Sequence, residues 1–259
     1  MKLLTLNCHS WMEEEQRSKI KYLAKVIKEK QFDVITLQEV SQSIESKFIN
    51  KNIKEDNFVH LLNEELKKIG EDRYKYIWDF SHIGYDIYEE GLAILTKHNI
   101  EGYESFYITK SDNTSFYKSR KIIKANININ KEKISFFTCH LGWWGDTDEP
   151  FRNQVDNLIS KINNKSFIMG DFNNDGFIKG EGYDYLLSKG LMDTYNLAIE
   201  KDCGITVEGE IAGWEGKKEN KRLDIIFTTE DIRVLKSNVI FNGENKKIIS
   251  DHYGVEVEI

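Results

Sequence analysis

A short apolar run followed by clustered polar side chains, SFIMGDFNNDG at positions 166–176, constrains the fold more than any other stretch. Residues 167–169 are too few for a helix and favour a buried strand, and Gly170 marks the point where the backbone bends. Asp171 and the polar residues after it are therefore expected at a strand end. Such an end holds side chains on a rigid sheet and leaves them open to a ligand.

Two other interpretations of this turn remain open at this point. The sequence DFNNDG matches the start of an EF-hand calcium loop, which needs a bidentate Glu at its twelfth position. Here the twelfth residue is Gly182, with Glu181 one position early, and the run before the loop favours a strand where a helix is required. A surface turn rich in Asn and Asp is the commoner explanation. A catalytic interpretation therefore requires similar residues at other strand ends.

Composition favours one globular domain over residues 1–259. Hydrophobic residues make up 40% of the chain and charged residues 31%. No apolar run approaches a membrane span, and the amino terminus has no signal-peptide core. The three cysteines form no CxxC pair, so we expect reduced thiols and a cytoplasmic location, with Cys8 and Cys139 as packing residues.

The charge balance bears on the partner. Non-specific nucleic-acid binding depends on Lys and Arg neutralising phosphates, but the net charge is −7. The densest basic run, KKENKR at 217–222, is typical of a solvated loop. We expect a small soluble substrate, no membrane and no obligate protein partner, and nucleic acid stays as the alternative.

Polar side chains do follow other predicted strands. Strands at 2–6 and 32–37 flank a helix predicted over 13–30. Because strand, helix, strand units place parallel neighbours side by side, Asn7 and Glu39 are expected at the same end of the sheet. Further along, His140 follows a hairpin strand at 133–138.

The carboxyl-terminal part adds three more such residues. Asp224 lies within LDIIFT at 223–228, where an acid among apolar residues needs a partner. Asp251 and His252 come directly before the final strand at 255–259. An Asp beside a His, with a second Asp to orient the imidazole, is the arrangement expected of a general base.

Six short segments in this order, LTLN, LQEV, TCHLG, GDFNN, RLDIIF and SDHYG, together resemble the endonuclease/exonuclease/phosphatase family. Each alone is weak, but the six cover nearly the whole chain. The family includes pancreatic-type deoxyribonucleases, apurinic endonucleases, sphingomyelinases and inositol polyphosphate phosphatases. The resemblance implies an α/β (α+β) fold of the DNase I type: a four-layer sandwich of two packed, mostly antiparallel β-sheets flanked by helices, with the active site at one edge.

The resemblance also implies a metal site and a metal-dependent phosphoric ester hydrolase. By the family pattern, Glu39 binds Mg²⁺ with help from Asn7 and Asp251, and Mn²⁺ is an alternative metal. All three are hard oxygen ligands of the kind Mg²⁺ prefers.

Catalytic roles are carried over in the same way. His252, oriented by Asp224, is implied to remove a proton from the attacking water, which Asp171 helps to position. His140 and Asn173 are implied to hydrogen-bond the phosphoryl oxygens, as electrostatic stabilisation of the transition state requires.

The segments NCHSWMEEEQ and SHIGYDIYEEGLAIL look like the bacterial maltose 6′-phosphate phosphatase branch of this family. That likeness implies a phosphomonoesterase acting on a small phosphorylated sugar. In some family members an acid orients the residue matching His140, which implies that role for Glu90. The candidates for holding the phosphate or sugar are His82, Arg120, Trp143 and Trp144, although core packing explains the tryptophans equally well.

Two other functions remain open. A DNA endonuclease or exonuclease on this fold would need a basic groove, for which Lys217, Lys218, Lys221 and Arg222 are available, and its binding would weaken steeply with salt. A non-catalytic binding protein on the same scaffold would not need competent residues at every metal and acid-base position, and here each is occupied.

Overall fold

Thirteen strands and five helices make up the fold. The computed structural model describes all 259 residues, Met1–Ile259. In chain order the elements are β1 (Lys2–Asn7), α1 (Gln16–Lys30), β2 (Val34–Ser43), α2 (Phe58–Lys68), β3 (Lys75–Gly84), β4 (Tyr88–Thr96), β5 (Asn99–Tyr107), β6 (Lys121–Ile129), β7 (Glu132–His140), α3 (Phe151–Ile159), β8 (Ser166–Asp171), α4 (Gly182–Ser188), β9 (Met192–Asp193), α5 (Thr194–Leu197), β10 (Ala198–Lys201), β11 (Asp224–Thr228), β12 (Val234–Ile240) and β13 (Gly254–Glu258).

The strands form two mixed sheets. The first has the order β10-β12-β13-β1-β2-β4-β3 and the second the order β5-β6-β7-β8-β11-β9. Eight of the eleven strand pairings are antiparallel, and β1–β2, β10–β12 and β7–β8 are parallel. This confirms the predicted sandwich. It also confirms that Asn7 lies beside the Gln38–Glu39 pair, because Asn7 is in parallel register with Gln38.

Three buried apolar clusters separate the four layers. The middle cluster fills the space between the sheets and includes Val34 and Phe136. Leu23 of α1 belongs to a second cluster on the outer face of the first sheet, and Leu158 of α3 belongs to a third on the outer face of the second sheet. Each sheet is thus apolar on both faces, and the outer helices cover the faces that the sheets do not cover for each other.

Two element bounds near the strand ends differ from the sequence prediction. α1 begins at Gln16, because Glu13 instead forms an ion pair with Lys19 at 2.6 Å and Glu15 takes a left-handed φ of 53°. β2 does not end before Glu39 but continues to Ser43 through a β-bulge between Leu37 and Val40. The bulge gives Glu39 a φ of 51° and turns its side chain out of the regular alternation.

By its sequence, the polar and aromatic segment SHIGYDIYEEG suits the lip of a substrate site or an ordinary hairpin equally well. The segment is the tip of the hairpin formed by β3 and β4, with strand pairing that extends to Gly84 and Tyr88. No sequence pattern predicted β5, which is an edge strand with mostly polar, half-exposed residues. Edge strands carry weak apolar patterns because one face and one edge meet solvent.

The three cysteines are unpaired. Cys8 and Cys139 are buried in the apolar clusters, and burial raises the pKa of both thiols. Their position fits packing residues. None of the helices combines the length and the apolar character that a membrane crossing would require.

Candidate active site

Strand register places the predicted catalytic side chains in one row across the second sheet. His140 at the end of β7 pairs with Asp171 at the end of β8, and Asp171 pairs with Asp224 at the start of β11. Asn7, at the end of β1 in the first sheet, donates from Nδ2 to Asp171 Oδ2 at 3.2 Å. The two sheets therefore bring these side chains together at one edge.

The three predicted metal ligands lie at this edge. Asn7 Nδ2 donates to Glu39 Oε1 at 2.9 Å. Burial, and then the negative charge of Asp251, raise the pKa of Glu39. His140 Nε2 lies 3.9 Å from Glu39 Oε1, and no Lys or Arg pairs with Glu39. A largely buried carboxylate without a cation is costly, so this donor set fits a hard divalent ion such as Mg²⁺.

His9 and Glu13 extend this group and were missed from the sequence. His9 Nδ1 lies 2.9 Å from Glu13 Oε1 and 3.4 Å from Asp251 Oδ1. The His9 backbone N–H donates to Asn7 Oδ1 at 3.1 Å. The His-x-x-x-Glu spacing was a signal, but assigning Glu13 to α1 concealed it.

The predicted general base is in contact with its predicted partner. His252 Nδ1 lies 2.8 Å from Asp224 Oδ2, and His252 Nε2 lies 3.8 Å from Asp171 Oδ2. Burial alone would lower the pKa of His252, but the charges of Asp224 and Asp171 raise it well above its ordinary value. The site thus stabilises the imidazolium that a general base becomes once it has taken a proton.

Glu90 lies between two histidines rather than against His140 alone. Its Oε1 is 3.4 Å from His82 Nε2 and 3.9 Å from His140 Nδ1. Burial and the charge of Glu39 raise the pKa of Glu90 to about 8. Burial and the charge of Arg120 lower the pKa of His82 to about 3 and that of His140 well below its usual value. Both imidazoles are therefore neutral at neutral pH, and each can donate one N–H.

A cavity of about 580 Å³ opens beside these groups. It is lined by Glu39, His82, Glu90, Arg120, His140, Trp143, Asp171, Asn173 and His252 among the predicted residues. Tyr85 and Asp86, from the segment SHIGYDIYEEG that the sequence offers as a substrate lip, also line it. Residues that the sequence did not single out complete its walls, among them Ser115, Tyr117, Gly213 and Glu215. Most of these lie in loops without a regular pattern, so no periodicity could have identified them.

Arg120 and Trp143 form one wall of this cavity. The Arg120 guanidinium lies 5.6 Å from the centroid of the Trp143 ring. Arg120 Nε and Trp143 Nε1 are buried, and neither has a hydrogen-bond partner. Buried donors of this kind are costly unless a ligand or water accepts from them.

The turn after β8 is held by its own side chains. Asn173 Nδ2 donates to Leu141 O at 2.9 Å, and Asp175 Oδ1 accepts from the backbone of Phe177 and Arg222 at 3.0 and 3.1 Å. Because a strand and not a helix precedes it, the EF-hand interpretation is wrong.

The structure corrects two interpretations of the sequence. Trp144 does not line the cavity, because its ring packs against Phe151 at 6.0 Å between centroids and lies 4.3 Å from the Arg152 guanidinium. The run at 217–222 is not wholly a solvated loop either. Lys221 and Arg222 are buried and their cations are used internally, Arg222 by Asp193 at 2.6 Å.

Comparison with known proteins adds the family. The model of the Endonuclease/Exonuclease/phosphatase family matches residues 10–252. No curated protein matches the chain significantly. A solved endonuclease/exonuclease/phosphatase family protein from Leptotrichia buccalis C-1013-b is 41% identical with a TM-score of 0.93, covering 100% of this chain and 99% of that chain.

Two more distant structures share the fold. A mannosyl-6-phosphatase from Bacteroides thetaiotaomicron VPI-5482 is 19% identical with a TM-score of 0.70, covering 100% of this chain and 98% of that chain. A 3′ phosphatase from Neisseria, bound to a product DNA hairpin, is 16% identical with a TM-score of 0.67, covering 100% of this chain and 99% of that chain. At these identities the likeness concerns the fold alone.

Proposed function

The chain belongs to the endonuclease/exonuclease/phosphatase family, and from this premise we propose that it is a Mg²⁺-dependent phosphomonoesterase that releases phosphate from a small phosphorylated sugar. The charge of the cavity carries this proposal. Arg120 is the only Lys or Arg in the lining, against five acidic residues, Glu39, Asp86, Glu90, Asp171 and Glu215. One cation suits a single phosphate group, whereas a nucleic-acid backbone is bound through many Lys and Arg contacts.

The rest of the lining suits a sugar. Tyr85, Tyr117 and Trp143 offer aromatic faces, and Asp86 and Glu215 offer carboxylates that can accept hydrogen bonds from hydroxyl groups. The volume of about 580 Å³ gives room for a disaccharide, within the roughly 300–1,000 Å³ common for small-ligand sites. Maltose 6′-phosphate is accordingly the first substrate to test. The fold neighbour named as a mannosyl-6-phosphatase is consistent with this choice.

In this proposal Asn7, Glu39 and Asp251 hold the metal, which when bound would neutralise charge on the phosphoryl and leaving oxygens. His252 Nε2 accepts a proton from the attacking water while His252 Nδ1 donates to Asp224.

The phosphate itself is bound by donors from several walls. His140, neutral because of its lowered pKa, donates one N–H to a phosphoryl oxygen, as does Asn173. Arg120 and Trp143 bind the phosphate and the adjoining sugar, since Arg120 Nε and Trp143 Nε1 lack partners in the protein. His82 supports the wall beside Glu90.

The test measures Mg²⁺-dependent phosphate release from a panel of sugar phosphates that includes maltose 6′-phosphate and mannose 6-phosphate. Supercoiled plasmid and an abasic oligonucleotide are incubated in parallel. Release from a sugar phosphate with intact DNA supports the proposal. Nicked plasmid or cleaved oligonucleotide without sugar-phosphate turnover would overturn it in favour of a nuclease.

A nuclease would have fewer exposed Lys and Arg side chains for binding DNA than the sequence suggests. Of the four basic residues considered for a groove, Lys217 and Lys218 are exposed, whereas Lys221 and Arg222 are buried. A steep fall of DNA binding with salt would reveal such a groove, since each neutralised phosphate contributes to that dependence.

A further inference from the structure

The loop over residues 208–220 is a closed unit on the rim of the cavity. No helix or strand lies between β10 and β11, and the loop is closed by an isolated bridge between Val207 and Lys221. The buried Lys221 ammonium donates to the carbonyls of Gly209, Lys217 and Glu219 at 2.6, 2.9 and 2.7 Å. All three of its protons are thus used to hold the loop together.

One side chain of this loop contacts a predicted catalytic residue. Trp214 Nε1 donates to Asn173 Oδ1 at 3.1 Å. An indole N–H can only donate, so the atom of Asn173 that faces it must be the oxygen. The Asn173 nitrogen then faces Leu141 O, to which it donates at 2.9 Å.

This contact decides what Asn173 presents to the cavity. One Nδ2 proton is used by Leu141, and the second remains available on a residue that lines the cavity. Trp214 is the only protein group that donates to Asn173 Oδ1. Without it the Asn173 amide is held only at its nitrogen end, by Leu141 O, and Oδ1 has no donor in the protein.

The tip of the loop also touches the wall formed by Arg120 and Trp143. Gly213 has a φ of 80°, and a Cβ at this position would lie 2.7 Å from Trp143 Cζ2, so the loop backbone rests directly on the Trp143 ring. Gly213 and Glu215 line the cavity. The loop therefore contacts both the sugar side and the phosphate side of the proposed site.

We propose that Trp214 is a positioning residue that orients the Asn173 amide so that one N–H points at the phosphoryl group, and that the 208–220 loop thereby couples the substrate wall to catalysis. This inference rests on the proposed phosphoester hydrolysis. It holds for a sugar phosphate and for DNA alike, because Asn173 would meet the phosphoryl group in either case.

A double-mutant cycle between Trp214 and Asn173 tests the coupling. Trp214→Phe keeps the aromatic packing and removes only the N–H, and we expect it to lower kcat about tenfold, the size of one hydrogen bond. In an Asn173→Ala background the same substitution should have no further effect. A residue that merely held the loop would lower kcat equally in both backgrounds, and that result would overturn the proposal.

Trp11→Phe serves as the matched control. Trp11 Nε1 also donates at 3.1 Å, but to Ser41 O, so its substitution removes an equivalent bond, and its effect should be additive with Asn173→Ala. The cycle is measured with the best ester of the panel and, independently, through the affinity for inorganic phosphate in the presence of Mg²⁺ by calorimetry. If wild type hydrolyses no ester, the proposed function fails while the phosphate-binding cycle still decides the role of Trp214.

Discussion

Replacing Asp224 by Asn removes one negative charge beside His252 and preserves the volume of the side chain. Asp224 is fully buried, and its Oδ2 lies 2.8 Å from His252 Nδ1. An amide oxygen in this place still accepts a hydrogen bond from Nδ1–H. It does not stabilise the imidazolium that forms when His252 takes a proton.

The size of the effect follows from this contact. A hydrogen bond to a charged group contributes about 1.5–3 kcal/mol, which corresponds to roughly 10- to 150-fold in rate. General acid-base catalysis as a whole contributes about 10²–10⁴-fold. We therefore expect Asp224→Asn to lower kcat by about 10- to 150-fold, a part of that total. Asp224 does not line the cavity, so KM should change by less than about threefold.

The assay is steady-state phosphate release at saturating Mg²⁺, with circular dichroism and thermal melting to show that each variant is folded. Asp33→Asn is the matched control, because Asp33 also pairs with a histidine, His98 Nε2 at 2.7 Å, at the opposite end of β2 from Glu39. It should leave kcat unchanged. A folded Asp224→Asn protein with kcat within about threefold of wild type, or an equal loss in Asp33→Asn, would refute the reasoning.

Three further predictions concern the metal, the phosphate and a remote ion pair. Glu39→Gln should weaken Mg²⁺ binding about 10- to 100-fold, measured by calorimetry and by the Mg²⁺ concentration that half-activates turnover; unchanged binding would remove Glu39 from the metal site. Arg120→Met should raise KM about 10- to 100-fold with kcat nearly unchanged, and an unchanged KM for the best substrate would exclude contact with the phosphate. The third prediction concerns Asp33, whose pKa is lowered in the folded protein. Burial raises this pKa, but hydrogen bonds from His98 and the Lys2 backbone and the charge of Lys97 lower it by more. Its stabilising effect is therefore present above the unfolded pKa of about 3.9 and lost as pH falls through the folded value. Urea unfolding should show Asp33→Asn less stable than wild type at pH 6, with the difference closing below about pH 4; a constant difference would contradict this.

The fold could be predicted because the informative polar residues lie next to apolar strands in the sequence. Asn7 follows an apolar strand and Glu39 another, and the helix between them leaves only a parallel, side-by-side arrangement. The observed register of Asn7 with Gln38 follows from that order. His140 and Asp171 lie side by side for the same reason, because β7, α3 and β8 form a second unit of this kind. Asp224 lies beside Asp171 through the antiparallel pairing of β11 with β8.

Local backbone irregularity explains what the sequence did not indicate. The β-bulge that turns Glu39 toward the site depends on the pairing of β2 with β4, a contact made far along the chain. Glu90 was expected to orient His140 but lies closer to His82, because a second irregularity in β3, between Phe80 and His82, sets that histidine opposite Glu90. Such two-against-one pairings have no periodic signature in one strand.

The basic run at 217–222 shows why substrate choice is harder to predict than chemistry. By sequence the run is typical of a solvated loop, and its cations are also the ones available for a nucleic-acid groove. In the fold, Lys221 donates to carbonyls of its own loop and so holds a loop that lines the cavity. Arg222 pairs with Asp193, so neither cation is free to bind a polyanion. A buried cation has to be paired within the protein, so it does not bind a ligand as the same residue would at the surface. The chemistry is fixed by strand register, which motif order encodes. Substrate choice depends on loops, and in the sequence the buried Lys and Arg residues of a loop look the same as the exposed ones.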